Sequence, residues 1–333
     1  MPYSIIFLLS TCLGLILALA VKRIALHFKI VDYPSQARKK HGKPVPLLGG
    51  IAPFAAFFTA ILVLLHFKNL PQNLSAPVFY LLLGSFIIML GGILDDKYRL
   101  SPKWQIVFPV AAIIIALYGG ISIKFITNPF GGMIYLGILP SLALTFIWLL
   151  TISYTTKILD GLDGLVAGMT ILCAFSIFLF STVSQFKESD IAVICLALMG
   201  SFAGFLLLNK YPARLFLGEG GSLFAGFILG ALAILTGAKI AVALMVLSLP
   251  LIDLLAVIIK RALKKKSIFL GDRAHLHYFL IDRGWRPQSV VYLFWALAAA
   301  LGIASIFLPS LAKIIFLFAV LAVFFFIDLC WAK

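Results

Sequence analysis

Four aspartates of the sequence stand in two closely spaced pairs, an arrangement that could hold a cation or transfer a proton. Asp95 and Asp96 are adjacent, so their charges repel each other and are costly to remove from water. A bound cation or a proton-transfer role would explain them, and the alternative is a solvated loop in which Asp96 pairs with a neighbouring Lys or Arg. Asp160 and Asp163 are three residues apart, so one helical turn would place both on one face. Each precedes a glycine, which ordinarily marks a turn, but the doubled spacing favours a functional role.

Three further segments could bind phosphate groups. Residues 218–222 read Gly-Glu-Gly-Gly-Ser before an apolar run, and backbone N–H groups at the start of a helix suit phosphate oxygens. Small residues there also serve packing between membrane helices, so the motif alone is a weak signal. His275 and His277 follow Arg273 in the most basic segment of the chain, which favours phosphate binding. Lys43 belongs to another basic run, whose charge could hold phosphates or merely fix the membrane topology.

The elements that position these residues must lie in a membrane. Of the 333 residues, 63% are hydrophobic and 12% are charged, and the mean hydropathy is +1.13. A soluble domain is about half apolar and about a quarter charged, so the composition disfavours a soluble enzyme, a nucleic-acid-binding domain and a disordered chain. The net charge of +15 fits only between apolar runs, whereas DNA-binding charge covers a polar surface, so we expect no nucleic acid partner. The predicted fold class is an all-α polytopic membrane protein.

About eleven apolar runs are long enough to be transmembrane helices, with ten as the alternative count. They lie at about 3–21, 47–66, 77–94, 104–119, 137–155, 162–180, 190–208, 220–236, 240–259, 289–307 and 312–331. The first run lacks the basic flank and cleavage site of a signal peptide, so we expect a retained helix. Without a visible repeat or a long loop, residues 1–333 are predicted to form a single integral membrane domain.

The basic residues predict the orientation of these helices. Of the 27 Lys and Arg residues, 22 fall on one side of the predicted membrane and five on the other. Because cytoplasmic loops carry the excess of positive charge, the N-terminus is predicted outside and the C-terminus in the cytoplasm. The cytoplasmic loops would then lie at about 22–46, 95–103, 156–161, 209–219 and 260–288.

Together these loops resemble the polyprenyl-phosphate N-acetylhexosamine-1-phosphate transferases of glycosyltransferase family 4. The matching pieces occur in family order: Asp-x-Pro-x-x-x-Arg-Lys-x-His at 32–41 with Pro-Leu-Leu-Gly-Gly at 46–50, Leu-Asp-Asp at 94–96 with Leu-Ser-Pro-Lys at 100–103, Asp-Gly-Leu-Asp-Gly-Leu at 160–165, Pro-Leu-Ile-Asp at 250–253 and Asp-Arg-x-His-Leu-His at 272–277. The last two pieces look closer to the branch that uses UDP-N-acetylglucosamine than to the peptidoglycan branch.

The resemblance implies a transfer of sugar-1-phosphate. The phosphate of undecaprenyl phosphate would attack the β-phosphate of a UDP-N-acetylhexosamine, with N-acetylglucosamine as the favoured sugar. UMP would leave, and a lipid-diphosphate-sugar would start a cell-envelope polysaccharide. The resemblance also implies Mg²⁺, a place in the bacterial inner (plasma) membrane among its lipids, and an active site on the cytoplasmic face. A homodimer is left open.

By resemblance, the catalytic residues are Asp95, Asp96, Asp160 and Asp163. Asp95 and Asp96 would assist the acceptor phosphate and the metal site, and Asp160 and Asp163 would shape the cleft for the nucleotide sugar. Glu219, with Asp96, would bind the metal. The residues implied to bind substrate are Lys43, Lys157, Gly218, Gly221, Ser222, Asp253, Arg273, His275 and His277.

The sequence departs from the family pattern at the metal. Where the family usually has Asn-x-x-Asn, this chain has Tyr154 and Lys157; Glu219 replaces an aspartate, and Tyr278 replaces the third histidine of His-x-His-His. In family members of known architecture, the residues at positions 157 and 219 are metal ligands, and a fixed ammonium opposes Mg²⁺. We therefore predict that Lys157 takes the place of the metal and pairs with Glu219, whose longer side chain reaches it. The alternative is that Lys157 points to a phosphate while Mg²⁺ still binds.

Two rival functions follow. A non-catalytic or metal-independent paralogue would bind nucleotide sugar or polyprenyl phosphate with the altered site. A lipid or solute transporter is less favoured, because transporters place ionisable groups at the bilayer midplane and show repeated halves. Here nearly all the acids fall at predicted cytoplasmic helix ends, with Glu188 and Asp190 on the other side.

Overall fold

The structure, a computed structural model, describes residues 3–33, 44–67, 72–128, 131–183, 189–237, 240–263 and 275–331. Helices make up most of these residues. Their bounds are α1 Tyr3–His27, α2 Ile51–Phe67, α3 Gln72–Tyr98, α4 Pro102–Gln105, α5 Val107–Tyr118, α6 Ile138–Leu159, α7 Leu165–Val183, α8 Ser189–Asn209, α9 Gly218–Leu235, α10 Ile240–Val246, α11 Ser248–Leu263, α12 Leu276–Asp282, α13 Pro287–Phe307 and α14 Ser310–Trp331.

All eleven predicted apolar runs are helical, and the predicted class of all-α membrane protein is confirmed. Within the described residues, seven helices are long and apolar enough to cross a membrane: α1, α3, α6, α7, α8, α9 and α13. The pair α10 and α11 would be an eighth span, and it is bent by 78°. Three shorter apolar helices cover the remaining runs, at Ile51–His66, Pro102–Tyr118 and Ser310–Val320. The number of spans and their orientation stay predictions.

Two short antiparallel hairpins join helices. Strand β1, Val31–Asp32, pairs with β2, Val45–Pro46, and strand β3, Phe125–Thr127, pairs with β4, Met133–Tyr135. α1 and α3 extend to His27 and Tyr98, past the predicted loop starts at 22 and 95. The predicted loops are therefore shorter than the sequence suggested.

The helix α9 lies at the centre of the bundle. Of its 18 residues, 89% are buried, whereas 28% are buried in the most apolar 18-residue stretch of α1, which exposes many apolar side chains, as expected of a helix that faces lipid. α9 packs mainly against α3 and α6, and the Trp148 indole N–H of α6 donates a hydrogen bond to the Gly230 carbonyl at 3.0 Å. The N-terminal end of this central helix carries the Gly-Glu-Gly-Gly-Ser motif and is the frame of the candidate site.

Candidate active site

Backbone contacts fix the segment that leads into α9. The Gly49 and Gly50 N–H groups donate to the carbonyls of Phe216 and Leu217, at 2.9 and 2.7 Å. Gly92 of α3 lies so close to the backbone of Gly220 that a side chain at position 92 would overlap it. The Pro-Leu-Leu-Gly-Gly segment and Gly92 thus allow α2 and α3 to approach the first turn of α9.

The first turn of α9 is also tied to α6. The Thr156 hydroxyl lies 2.7 Å from the Ser222 carbonyl oxygen, and the Ser222 hydroxyl donates back within its own turn, to Glu219 at 3.1 Å. Gly221 is buried against Gly50. Of the predicted substrate-binding residues, Gly221 and Ser222 therefore contribute packing here, the alternative that the sequence had left open.

Replacing Thr156 with valine should lower the free energy of unfolding by about 1 kcal/mol, because the bond from α6 to α9 is lost. Thr155→Val is the matched control. Its hydroxyl is also buried but lies at 2.8 Å from the Thr151 carbonyl of the same helix, so no contact between helices depends on it. Thermal unfolding of both purified variants in detergent measures the difference, and equal unfolding temperatures would contradict the assigned role.

The two adjacent aspartates have different partners. The Asp95 carboxylate is buried and accepts hydrogen bonds from the Leu100 N–H at 2.7 Å and the Gln105 amide at 3.2 Å, which fixes the loop after α3. The Asp96 carboxylate accepts from the Glu219 N–H at 3.2 Å, at the start of α9. Of the pair, Asp96 is the one that reaches the first turn of α9.

Lys157 and Glu219 form the predicted ion pair. The Lys157 Nζ atom lies 2.9 Å from the Glu219 Oε2 atom and donates to the Gln105 Oε1 atom at 3.1 Å. The Lys157 side chain is 17% exposed. Gln105 thus bridges Lys157 and Asp95, a connection that the sequence analysis missed. Its signal was weak, since a glutamine in the first turn of a helix is an ordinary polar residue.

Asp160 and Asp163 lie on the turn after α6 and point to different partners. Asp163 accepts a hydrogen bond from the Ala213 N–H at 2.9 Å and so ties this turn to the segment before α9. Asp160 is exposed; desolvation, followed by the negative charges of Glu219, Asp96 and Asp163, raises its pKa. The three neighbouring negative charges repel the Asp160 carboxylate, and a bound cationic group would relieve this repulsion.

Asn209, at the end of α8, is a second residue that the sequence analysis missed. Its side chain accepts from the Gly164 N–H at 3.1 Å and donates to the Leu215 carbonyl at 3.0 Å. It is buried and joins the Asp-Gly turn to the segment before α9. A lone asparagine at the end of an apolar run offered no pattern by which to find it.

The segment that contains His275 and His277 packs against the Asp160–Asp163 turn. The His275 Nδ1 atom lies 2.9 Å from the Asp253 carboxylate, which also accepts from the Leu276 N–H at 2.8 Å. His277 is buried, which, with the neighbouring His275, lowers its pKa to about 3. Neither of its ring nitrogens has a hydrogen-bond partner among the described residues.

His277 and Tyr278 pack against Gly161. A Cβ atom at position 161 would lie 2.7 Å from the His277 Nε2 atom and 2.6 Å from the Tyr278 hydroxyl oxygen. The tyrosine that replaces the third family histidine therefore lies on the Asp160–Asp163 turn. Lys43 and Arg273, predicted to bind phosphates, lie outside the described residues.

The described side chains do not fit a divalent cation. No three carboxylate, imidazole or thiol groups in the described part of the chain come together as a set that could hold a metal ion. Glu219, the predicted ligand, is instead paired with the Lys157 ammonium, whose charge repels Mg²⁺. Mg²⁺ is therefore an expectation from the family resemblance that the arrangement of these residues does not support.

Comparison with known proteins identifies the family. Residues 78–237, which include the Asp pairs, Lys157 and Glu219, match the family model described as glycosyl transferase family 4. The chain is 30% identical, over 97% of its length and 89% of the relative, to a Bacillus subtilis protein named probable undecaprenyl-phosphate N-acetylglucosaminyl 1-phosphate transferase. The chain belongs to glycosyl transferase family 4. The predicted family is confirmed.

Other relatives of this family 4 chain cover both predicted branches. It is 29% identical to the decaprenyl-phosphate N-acetylglucosaminephosphotransferase of Mycobacterium tuberculosis, over 86% of this chain and 78% of the relative. It is 28% identical to the phospho-N-acetylmuramoyl-pentapeptide-transferase of Bacillus mycoides, over 92% of this chain and 96% of the relative. The alignments with these relatives extend well beyond the residues matched by the family model.

Proposed function

We propose that this family 4 protein transfers N-acetylglucosamine-1-phosphate from UDP-N-acetylglucosamine to undecaprenyl phosphate. The observation that carries the proposal is the meeting of Asp96, Glu219 and Lys157 at the N-terminal end of α9, with Asp160 on the turn that follows the helix of Lys157. A positive group among carboxylates suits a reaction between two phosphates, because one site must both neutralise a diphosphate and handle a proton. The names of the relatives in Bacillus subtilis and Mycobacterium tuberculosis support the choice of sugar and lipid.

The reaction requires an in-line displacement at phosphorus. An oxygen of the lipid phosphate forms a bond to the β-phosphorus of the nucleotide sugar, and the bond from that phosphorus to the bridging oxygen breaks. UMP leaves with the negative charge of that oxygen. A phosphate monoester still carries part of its second proton near neutral pH, because its second pKa is about 6. The Asp96 carboxylate is the group we assign to accept that proton, while Lys157 offsets charge on the diphosphate.

We further propose that the site faces the cytoplasm of a bacterial inner membrane and that residues 1–333 form one membrane domain. The one-sided distribution of the basic residues supports the orientation, because the segments that meet at α9 all lie on the basic side. We also propose that His275, His277 and Asp253 contribute to binding of the nucleotide sugar, supported by the packing of His277 against Gly161 of the Asp160–Asp163 turn. The homodimer stays a prediction.

The test is an assay of the purified protein with undecaprenyl phosphate and a panel of labelled UDP-sugars. We expect UMP release together with a lipid-diphosphate-sugar product, detected by mass, for UDP-N-acetylglucosamine. UDP-glucose, which lacks the N-acetyl group, is the control donor. Failure of every UDP-amino sugar to release UMP from folded protein would overturn the proposal.

A second function is favoured by the ion pair between Lys157 and Glu219. With the family's metal-ligand positions occupied by a salt bridge, the protein could bind nucleotide sugar or polyprenyl phosphate without turnover. Thermal stabilisation by UDP-N-acetylglucosamine with no release of UMP would indicate this binding function. Stabilisation together with UMP release would indicate the enzyme.

A further inference from the structure

The Lys157 ammonium is held in one place by two oxygen partners. Its Nζ atom contacts Glu219 Oε2 at 2.9 Å and Gln105 Oε1 at 3.1 Å, and it lies 5.7 Å from the centre of the Tyr154 ring. Surface lysines are usually solvated and move freely, but this side chain is 17% exposed. It is therefore a fixed positive charge at the site.

Gln105 is oriented so that its oxygen must face the lysine. Its amide nitrogen donates to the Asp95 carboxylate at 3.2 Å and to the Leu100 carbonyl at 3.0 Å. The amide group has one oxygen, and with the nitrogen committed that oxygen points to Lys157. The position of the ammonium thus depends on a chain of hydrogen bonds that reaches the buried Asp95.

An ammonium group has three N–H donors. Lys157 donates to Gln105 and forms an ion pair with Glu219, and we assign a remaining N–H of the ammonium to an incoming phosphate oxygen. The Asp96 carboxylate, which accepts from the Glu219 N–H at 3.2 Å, adds a second negative charge next to this pair, so the pair does not neutralise the site by itself. A divalent cation at the same place would meet the ammonium at short range and would have to displace it from Glu219.

We propose that the Lys157 ammonium, held by Glu219 and Gln105, neutralises the diphosphate of the nucleotide sugar in place of a divalent cation. The inference rests on the proposed function, since it takes the ligand to be a nucleoside diphosphate sugar. It predicts that binding of the donor needs no added metal. The positive charge that a bound divalent cation would supply is here supplied by the Lys157 side chain.

The first test measures the affinity of the full-length protein in detergent for UDP-N-acetylglucosamine by calorimetry, in EDTA and in Mg²⁺. We expect the two dissociation constants to agree within about twofold, well below the tenfold that corresponds to about 1.4 kcal/mol. In EDTA, Lys157→Met should weaken binding by about 10- to 100-fold, because a charge-assisted hydrogen bond to phosphate is lost. Lys97→Met is the control, since Lys97 is an exposed lysine at the end of α3 outside the ion pair.

The second test needs no substrate. Titration with Mn²⁺, followed by electron paramagnetic resonance, should detect no tight site in the wild-type protein. The double variant Lys157→Asn with Glu219→Asp, which restores the family residues, should create one.

The outcomes separate the two proposals. Donor binding that is lost in EDTA, or a tight Mn²⁺ site in the wild type, would overturn the inference and leave the proposed function intact. An effect of Lys157→Met no larger than that of Lys97→Met would do the same. Folded protein that binds no UDP-N-acetylglucosamine with or without Mg²⁺ would overturn the proposed function.

Discussion

Replacing Gly218 with alanine is expected to lower the rate of sugar-phosphate transfer by about 100-fold, the loss that follows when a reacting group is misplaced by about 1 Å. Gly218 begins α9 with a φ angle of +77°, and its α-carbon faces the Asp96 carboxylate so closely that a Cβ atom would overlap it. Alanine pays about 1–2 kcal/mol for this left-handed conformation. The larger consequence is the displacement of Asp96 from the first turn of α9.

Gly120→Ala is the matched control for the backbone. Gly120 has a φ angle of +84°, and nothing lies within 4 Å of a Cβ atom built there. Both variants therefore carry similar backbone strain. The new methyl group meets a carboxylate at position 218 and not at position 120. UMP release and unfolding temperature should be measured for both. Equal transfer rates in the two variants would show that the contact with Asp96 does not matter.

Replacing Asp96 with asparagine should reduce transfer by about 100-fold or more, the usual cost of removing a group that handles a proton. Asparagine keeps an oxygen that can accept the hydrogen bond from the Glu219 N–H, so the unfolding temperature should change little. The variant thus removes the charge and basicity of the side chain and preserves its structural contact. UMP release at saturating donor and acceptor is the measurement.

Asp282→Asn is the control for the loss of one negative charge. Asp282 is exposed at the end of α12, on the predicted cytoplasmic side, and is not part of the cluster around Lys157. It should keep nearly full activity. If Asp96→Asn also kept it, the proton would have to leave by another route, and Asp160 would be the next carboxylate to replace.

The helices could be predicted from local apolar runs, and the ion pair from two departures from the family pattern. Apolar runs of about 20 residues must be helical in a bilayer, since every backbone group must be bonded within the segment. The pairing of Lys157 with Glu219 was predicted because an ammonium and a carboxylate replaced two expected metal ligands. The helices follow from the apolar residues of single runs. The ion pair follows from the residue types at positions 157 and 219, compared with the family pattern.

What the sequence did not reveal depends on direction and on distant contacts. Residues 240–259 were predicted as one helix, yet the chain bends by 78° between α10 and α11, and apolarity alone carries no direction. Gln105 matters because its amide meets Lys157 across 52 positions of the chain. Asp95 and Asp96 look alike in the sequence but have different partners. The loop after α3 turns back and donates a hydrogen bond to Asp95, whereas Asp96 accepts from the Glu219 N–H.

The enclosure of α9 shields most of this helix from the acyl chains of the bilayer. Lateral pressure and bilayer thickness act on the surfaces that touch acyl chains. The helix α1 presents such a surface, since 28% of the residues in its most apolar 18-residue stretch are buried. In α9, 89% of the residues are buried, so its apolar side chains pack against neighbouring helices and not against lipid. A change of lipid composition must therefore deform the outer helices before it can shift Glu219. We expect a change in membrane thickness to displace the residues of the donor site less than it displaces the outer helices.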